Sequence, residues 1–172
     1  ITQKKGIAHK VPKDFVRRFC SSFGFNLTNA QKRSVEEIAS DMSKGTPMLR
    51  LLQGDVGSGK TLVSFFGCAA AASAGHQSAV MAPTEILAQQ HYKNFERLIV
   101  NGGFKEIRSA LLISGMMKKE KDKILAKLAK GEIDVLIGTH ALIQETVAFK
   151  DLSYVVIDEQ HKFGVKQRAL LS

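Results

Sequence analysis

The spacing of apolar positions changes character near residue 48, and the change divides the chain into two kinds of element. Before it, Val11, Phe15, Val16 and Phe19 fall on one helical face from Lys13 onward, within a basic leading segment at residues 4–18. Thr28, Asn29, Ala30 and Gln31 then have the form of a capping box, and Val35, Ile38, Ala39 and Met42 recur at helical spacing until Gly45 stops the pattern. From residue 48 onward, short apolar runs at 48–53, 78–82, 109–113, 134–138 and 154–158 predict buried strands. Longer helical patterns at 60–74, 84–100 and 118–130 lie between them. Strands alternating with helices predict an α/β fold with a parallel sheet and right-handed crossovers. Ligands of such sheets bind outside the carboxyl ends of the strands, so chemistry is sought in the residues just after each strand.

The residues after the first predicted strand are Gly54, Asp55, Val56, Gly57, Ser58, Gly59, Lys60 and Thr61. They satisfy GxxxxGK[ST] between a strand and a helix, the setting that a P-loop requires. The glycines let the backbone turn its N–H groups toward phosphates at a helix N-terminus, where about half a positive charge already resides. Lys60 is suited to bridge the β- and γ-phosphates of ATP, and the Thr61 hydroxyl to ligate Mg2+, a hard ion that prefers oxygen.

The last predicted strand ends in Asp158 and Glu159. An acidic pair after a strand can be a helix cap or an exposed turn. On the same sheet as a P-loop it has the Walker B arrangement instead, with Asp158 holding Mg2+ and Glu159 orienting and deprotonating the water that attacks the γ-phosphate. Hydrolysis is therefore the expected chemistry. The catalytic candidates are Lys60, Asp158 and Glu159.

Composition narrows the setting. The chain has 172 residues, 44% hydrophobic and with only 3 Pro, enough to bury a core as one domain, and no internal repeat or low-complexity linker interrupts it. The formal charge of +9 at pH 7 favours a polyanionic partner through counterion release, although charge alone does not name one. Cys20 and Cys68 have no CxxC spacing and suit a reducing cytoplasm. The apolar run at 62–74 is interrupted by Ser64, Gly67 and Ser73 and falls short of the roughly 20 residues of a spanning helix, so no membrane anchor is expected. His9, His76, His91, His140 and His161 lack partners at metal-ligand spacing, and no zinc is expected. A start at Ile1 and an uncapped helical pattern running into Ser172 both suggest cuts from a longer protein.

Asp158, Glu159, Gln160 and His161 form a DExH box, and with the P-loop the chain resembles superfamily 2 helicases. The stretches GDVGSGKT at 54–61, APTEILAQQH at 82–91, GTHAL at 138–142 and DEQHKFGVKQR at 158–168 are similar to the RecG family of bacterial branched-DNA helicases, over about residues 27–172. The Mfd-type transcription-repair coupling translocases share several of these stretches. Ser58, Gln160 and the Thr84-Glu85 pair favour the RecG type. One departure is Phe23, Gly24, Phe25, where the family often has Leu-Pro-Phe.

The resemblance implies a RecA-like first motor lobe at 27–172, a parallel sheet with helices on both faces, with residues 1–26 linking to an absent N-terminal region. It implies ATP and Mg2+ as cofactors, and branched DNA, a second RecA-like lobe and a wedge domain as partners. It further implies that Gln31 reads adenine, with capping of Thr28 as the alternative. Pro83, Thr84 and Glu85, and separately Thr139 and His140, would touch the DNA backbone, with helix capping by Thr84 and Thr139 as the alternative. Gln160 and His161 would couple nucleotide to DNA state, packing being the other role open to His161. The lysine-rich helix at 118–130 is either a DNA patch or a solvated face. Without the second lobe's arginine finger, worth roughly 10³ to 10⁵ in rate, the isolated chain should hydrolyse ATP poorly. A nucleotide-gated binding module without catalysis is the alternative from another class.

Overall fold

The computed structural model describes residues 6–22, 26–45 and 60–158. Among the described residues there are five α-helices and four strands, in the order α1 (Lys13–Ser21), α2 (Asn29–Met42), α3 (Lys60–Ser73), β1 (Gln77–Met81), α4 (Glu85–Gly102), β2 (Ser109–Leu112), α5 (Lys118–Ala129), β3 (Val135–Gly138) and β4 (Leu152–Ile157), with a 3-10 turn at His140–Ile143. All three strand pairings are parallel, in the order β2-β3-β1-β4. The expected α/β architecture is present, and the helices and four of the five strands lie within about two residues of their sequence-based bounds. The strand expected at 48–53 lies outside the described residues.

Local chemistry sets the helix boundaries. Pro12, which lacks an N–H, stands just before α1, with Asp14 in the first turn and Arg18 in the last, as the helix dipole favours. Thr28 and Gln31 form both bonds of the capping box at α2: Gln31 N–H donates to Thr28 Oγ1 at 3.1 Å, and Thr28 N–H to Gln31 Oε1 at 2.9 Å. The Thr84 hydroxyl accepts from Leu87 N–H at 3.2 Å to open α4, which Gly103 closes in the left-handed region at φ +67°.

The period-2 alternation of the strands feeds two cores. On one face Val80, Val135, Ile137, Leu111, Tyr154 and Val156 meet α1 to α4. On the other Ala79, Met81, Leu136, Leu112 and Ile157 meet Leu128, Ile124 and Leu125 of α5 and Leu142 after β3. Helices therefore cover both faces, as the resemblance implied. Phe15 and Phe19 of the leading segment are part of the first core, the one tilted and the other edge-on against Phe66 at 6.0 and 5.1 Å between ring centres. Each such ring stabilises the fold by roughly 1.5–3 kcal/mol. Lys118, Lys119, Lys123 and Lys127 of α5 and Lys130 just after it are exposed, and Lys121 Nζ donates to the Ser114 carbonyl at 2.7 Å.

Polar groups at the amino ends of the strands are joined to one another. The buried Gln77 side chain donates to the carbonyls of Leu128 (3.0 Å) and Ile133 (2.8 Å) and accepts from Asp151 N–H at 2.8 Å. His76 Nδ1 meets Asp151 Oδ2 at 2.6 Å. His9 Nδ1 lies 3.2 Å from the Met42 carbonyl and Nε2 2.7 Å from Ser153 Oγ, fastening the leading segment to the start of β4.

Candidate functional site

Register sets four strand ends level. Met81 pairs with Gly138 and with Ile157, and Gly138 pairs with Leu112. Asp158 N–H continues the ladder to the Met81 carbonyl at 2.9 Å, and Ala82 N–H to that of Gly138 at 2.8 Å. Ile113, Thr139, Ala82 and Asp158 thus leave the sheet along one carboxyl edge. With strands about 4.8 Å apart, the backbones of Asp158 and Thr139, two strands from each other, are separated by about 10 Å.

Helix α3 brings its N-terminus to the same edge. Its C-terminal end turns directly into the start of β1, with His76 N–H donating to the Ala71 carbonyl at 2.9 Å. Midway, Cys68 lies against Ser78 and Gly67 against the Tyr154 ring, near the strand starts. One turn nearer the N-terminus, the Phe65 ring meets His91 edge-on at 6.2 Å, and His91 reaches Asp158 at the strand end. The helix therefore climbs toward the carboxyl edge as it is followed back to Lys60. Thr61, in its first turn, is exposed.

A Cβ on Gly67 would stand 2.6 Å from Tyr154 Cε1, so glycine lets helix and strand approach closely. Burial raises the Tyr154 hydroxyl above its usual range, and burial pushes the Cys68 thiol up to about 12, so both groups are neutral packing at neutral pH. Gly138 serves the same end of the sheet. A Cβ there would lie 2.9 Å from Leu142 Cδ2 and closer still to the Leu112 carbonyl oxygen.

The sequence-based candidates fall into two groups. Gly54, Asp55, Val56, Gly57, Ser58, Gly59, the Lys60 side chain, Glu159, Gln160 and His161 lie outside the described residues. The others are described. Asp158 is half-buried at the edge, and its Oδ2 accepts from His91 Nε2–H at 2.9 Å. Pro83, Thr84 and Glu85 lie at the start of α4. Thr84 is exposed and caps the helix, while Glu85 Oε1 accepts from Gly115 N–H in the loop after β2 at 3.1 Å. Thr139 is buried, and its hydroxyl has no hydrogen-bond partner among the described residues; His140 beside it faces solvent. Gln31 is engaged in the capping box of α2.

The donor chemistry at this edge suits Mg2+. The cation takes one or two carboxylates together with phosphate oxygens and water, and dedicated cages of protein ligands are unusual for it. Asp158 and the Thr61 hydroxyl supply hard oxygens at the same edge. Among the described residues no group of three or more His, Cys, Asp or Glu is assembled for a metal.

His91 was not singled out from the sequence. It stands three residues after Ala88 and four before Phe95, on the face of α4 that carries Leu98 and Ile99 into the core. A histidine at an apolar-face position needs a buried partner, and that signal was available. Its partner is 67 residues away along the chain, which the pattern alone does not give.

Comparison with known proteins agrees with this geometry. The chain is 47% identical over 171 residues to the ATP-dependent DNA helicase RecG of Aquifex aeolicus, covering 99% of the chain and 21% of that protein. To the RecG of Thermotoga maritima it is 52% identical over 166 residues, 96% of the chain and 21% of the relative. Among solved structures, a RecG bound to a three-way DNA junction superposes with a TM-score of 0.83 at 50% identity, over 93% of the chain and 22% of that structure. The chain thus spans about a fifth of the relatives it matches. No helix among the described residues is long and apolar enough to cross a membrane. With its parallel sheet of RecA-like helicase type and a match to the DEAD/DEAH box helicase model across residues 28–171, the chain belongs to the DEAD/DEAH box helicase family.

Proposed function

We propose that residues 27–172 are the first, ATP-binding RecA-like lobe of a RecG-type, ATP-dependent DNA helicase, which remodels branched DNA such as replication forks and Holliday junctions in repair and recombination. Residues 1–26 lead into it from a preceding region. A second RecA-like lobe and a wedge domain of the same full-length protein complete the motor, which works in the cytoplasm. The similarity to RecG proteins supports this reading, and one observation carries it for the chain itself. Asp158, the N-terminus of α3, the 83–85 segment and the 139–140 segment share a single edge of the sheet.

In this reading the amides of Gly54, Asp55, Val56, Gly57, Ser58 and Gly59, with Lys60, bind the triphosphate, and Gln31 turns toward the adenine while its neighbour Thr28 keeps α2 capped. Glu159 orients the attacking water and accepts its proton. Asp158 and Thr61 would hold Mg2+, which would supply positive charge to offset the negative charge of the phosphates. Pro83, Thr84, Glu85, Thr139 and His140 form the DNA-facing row, through side chains and helix N-terminal amides. Gln160 and His161, next to the acidic pair, relay the nucleotide state to that row.

The full-length protein is the proper test. Its ATP hydrolysis should rise more with a three-way junction than with linear duplex, and Lys60→Ala should abolish ATP binding and turnover together. Unchanged ATP affinity in Lys60→Ala removes the phosphate cradle from the reading; equal stimulation by both DNAs removes the branched substrate.

A further inference from the structure

Asp158 is held by a residue from a different element, and that element begins at the DNA-facing row. His91 Nε2 lies 2.9 Å from Asp158 Oδ2, with the His91 side chain 12% and the Asp158 side chain 35% exposed. We infer that His91 is a positioning residue: its N–H fixes the Asp158 carboxylate in the orientation that receives Mg2+, and ties that orientation to helix α4. The inference rests on the reading of Asp158 as a magnesium ligand.

Three features support it. The terminal torsion of an aspartate is broad and nearly two-fold, so a carboxylate standing at a strand end has no intrinsic reason to hold one plane. A donor on one oxygen removes that freedom before the cation arrives, and the cost of ordering is then not charged to binding. The imidazole is itself constrained, because the edge of Phe65 meets it at 6.2 Å and an interplanar angle of 87°. Phe65 belongs to α3, the helix that opens with Lys60 and Thr61, so the His91 ring touches both that helix and Asp158.

The third feature is the rigidity of the connection. Thr84 caps α4, and Ala88, Phe95, Leu98 and Ile99 bury its inner face. His91 is two turns, about 10 Å, along the helix from Thr84. A displacement of the helix start by DNA therefore reaches the carboxylate through one rigid body and one hydrogen bond. With Nε2 turned to Asp158, the other ring nitrogen, Nδ1, is buried and has no hydrogen-bond partner among the described residues.

The experiment titrates Mg2+ against the binding of a fluorescent ATP analogue to full-length protein, with variants chosen to separate donor from packing. His91→Phe keeps a ring against Phe65 and removes the donor; His91→Gln keeps an N–H at about the reach of Nε2. Loss of a hydrogen-bond partner behind a metal ligand costs roughly 10- to 100-fold in metal affinity. His91→Phe should accordingly raise the Mg2+ midpoint about tenfold or more. Metal-free nucleotide binding should stay unchanged, and His91→Gln should restore most of the loss. In an Asp158→Asn background, His91→Phe should add nothing further, since a residue acting through Asp158 loses its effect with it.

An unshifted midpoint in His91→Phe, or equal and additive losses with and without Asp158, overturns the inference. If Asp158→Asn itself leaves the Mg2+ midpoint where it was, the magnesium reading of the site falls as well. Should phenylalanine prevent folding, His91→Met removes the donor in a more adaptable side chain and is judged by the same criteria.

Discussion

Replacing Gly67 by alanine asks how closely the helix that opens with Lys60 must approach the strand that ends before Asp158. The new Cβ would stand 2.6 Å from Tyr154 Cε1, and closer still to Cζ and the hydroxyl. Carbon atoms rest at about 3.5–4.0 Å, so helix and ring must separate by about 1 Å or more. The ring has little room to turn away, since Tyr154 packs into the first core beside Val156 and its hydroxyl is buried. If the helix retreats instead, Phe65 and Phe66, both buried, retreat with it. Overpacking of this kind costs about 1–3 kcal/mol, and the required movement argues for the upper end. Alanine returns about 1 kcal/mol through its better helix propensity. The net loss is then about 2 kcal/mol, roughly a thirtyfold change in a local opening equilibrium. Hydrogen exchange at the amides of α3 and β4 in the full-length protein reads this directly and requires no two-state melt of a multidomain chain. Tyr154→Val removes the ring, and in that background the cost of Gly67→Ala should largely vanish. Protection that is unchanged or increased in Gly67→Ala with Tyr154 present would refute the reasoning, because it would mean that propensity outweighs the clash.

Two further outcomes are expected at the amino edge of the sheet. Gln77→Leu removes two donors and one acceptor from a residue only 4% exposed, leaving the Ile133 carbonyl and the Asp151 N–H without that partner, while the Leu128 carbonyl keeps the Gly131 N–H at 3.1 Å. At about 1–3 kcal/mol per buried unmet group, a loss of about 2 kcal/mol or more should appear as faster exchange in β1 and in the turn before β3. His9 gives a pH dependence whose sign follows from its environment. Burial lowers its pKa, the Met42 carbonyl opposes, and nearby His76 lowers it further while Asp151 raises it. The neutral ring is therefore the folded form, and its contribution is complete above the ordinary histidine pKa of about 6.5 and is lost as pH falls below it. Limited proteolysis near residues 6–12 should accelerate between pH 7.5 and pH 5.5, and His9→Gln should flatten that dependence; an equally steep profile in the variant would assign it to other groups.

The elements were legible because their periods were clean. The runs that became β1, β2, β3 and β4 are short and apolar, and those that became α3, α4 and α5 are long enough to exclude strands. The capping box at Thr28 and Gln31 was readable as a motif, and the structure realises both of its bonds. Pairing was not legible. That β1 lies between β3 and β4, and that Met81 is level with both Gly138 and Ile157, depends on contacts between residues some 57 to 76 positions apart, which no local pattern encodes. The same limit hid His91. Its position on the inner face of α4 demanded a partner, but only the sheet order brings Asp158 beneath it. For Thr84 and Thr139 the sequence leaves both capping and DNA contact open, and the structure separates their capping alone: Thr84 caps α4, whereas Thr139 makes no side-chain cap bond and is buried.

The two ends of the sheet differ in how they satisfy their polar groups, and the difference carries a functional argument independent of any motif. At the amino edge Gln77, His76, Asp151, His9 and Ser153 bond to one another or to backbone, and Arg108 spans Asp134 and the Gly131 carbonyl at 2.9–3.1 Å. Such a network leaves nothing for a ligand to do, and its consequence is rigidity. The carboxyl edge leaves the buried Thr139 hydroxyl and His91 Nδ1 without partners among the described residues, and it exposes Thr61, Thr84 and His140, with Ile86 standing 77% exposed beside them. Among the described residues one similar atom lies elsewhere, Ser78 Oγ, against the Cys68 thiol inside the core. Under the proposed reading as a motor lobe that asymmetry has a use: with the amino ends of the strands fixed, a change at the carboxyl edge between a bound and an empty nucleotide site is not dissipated through the sheet.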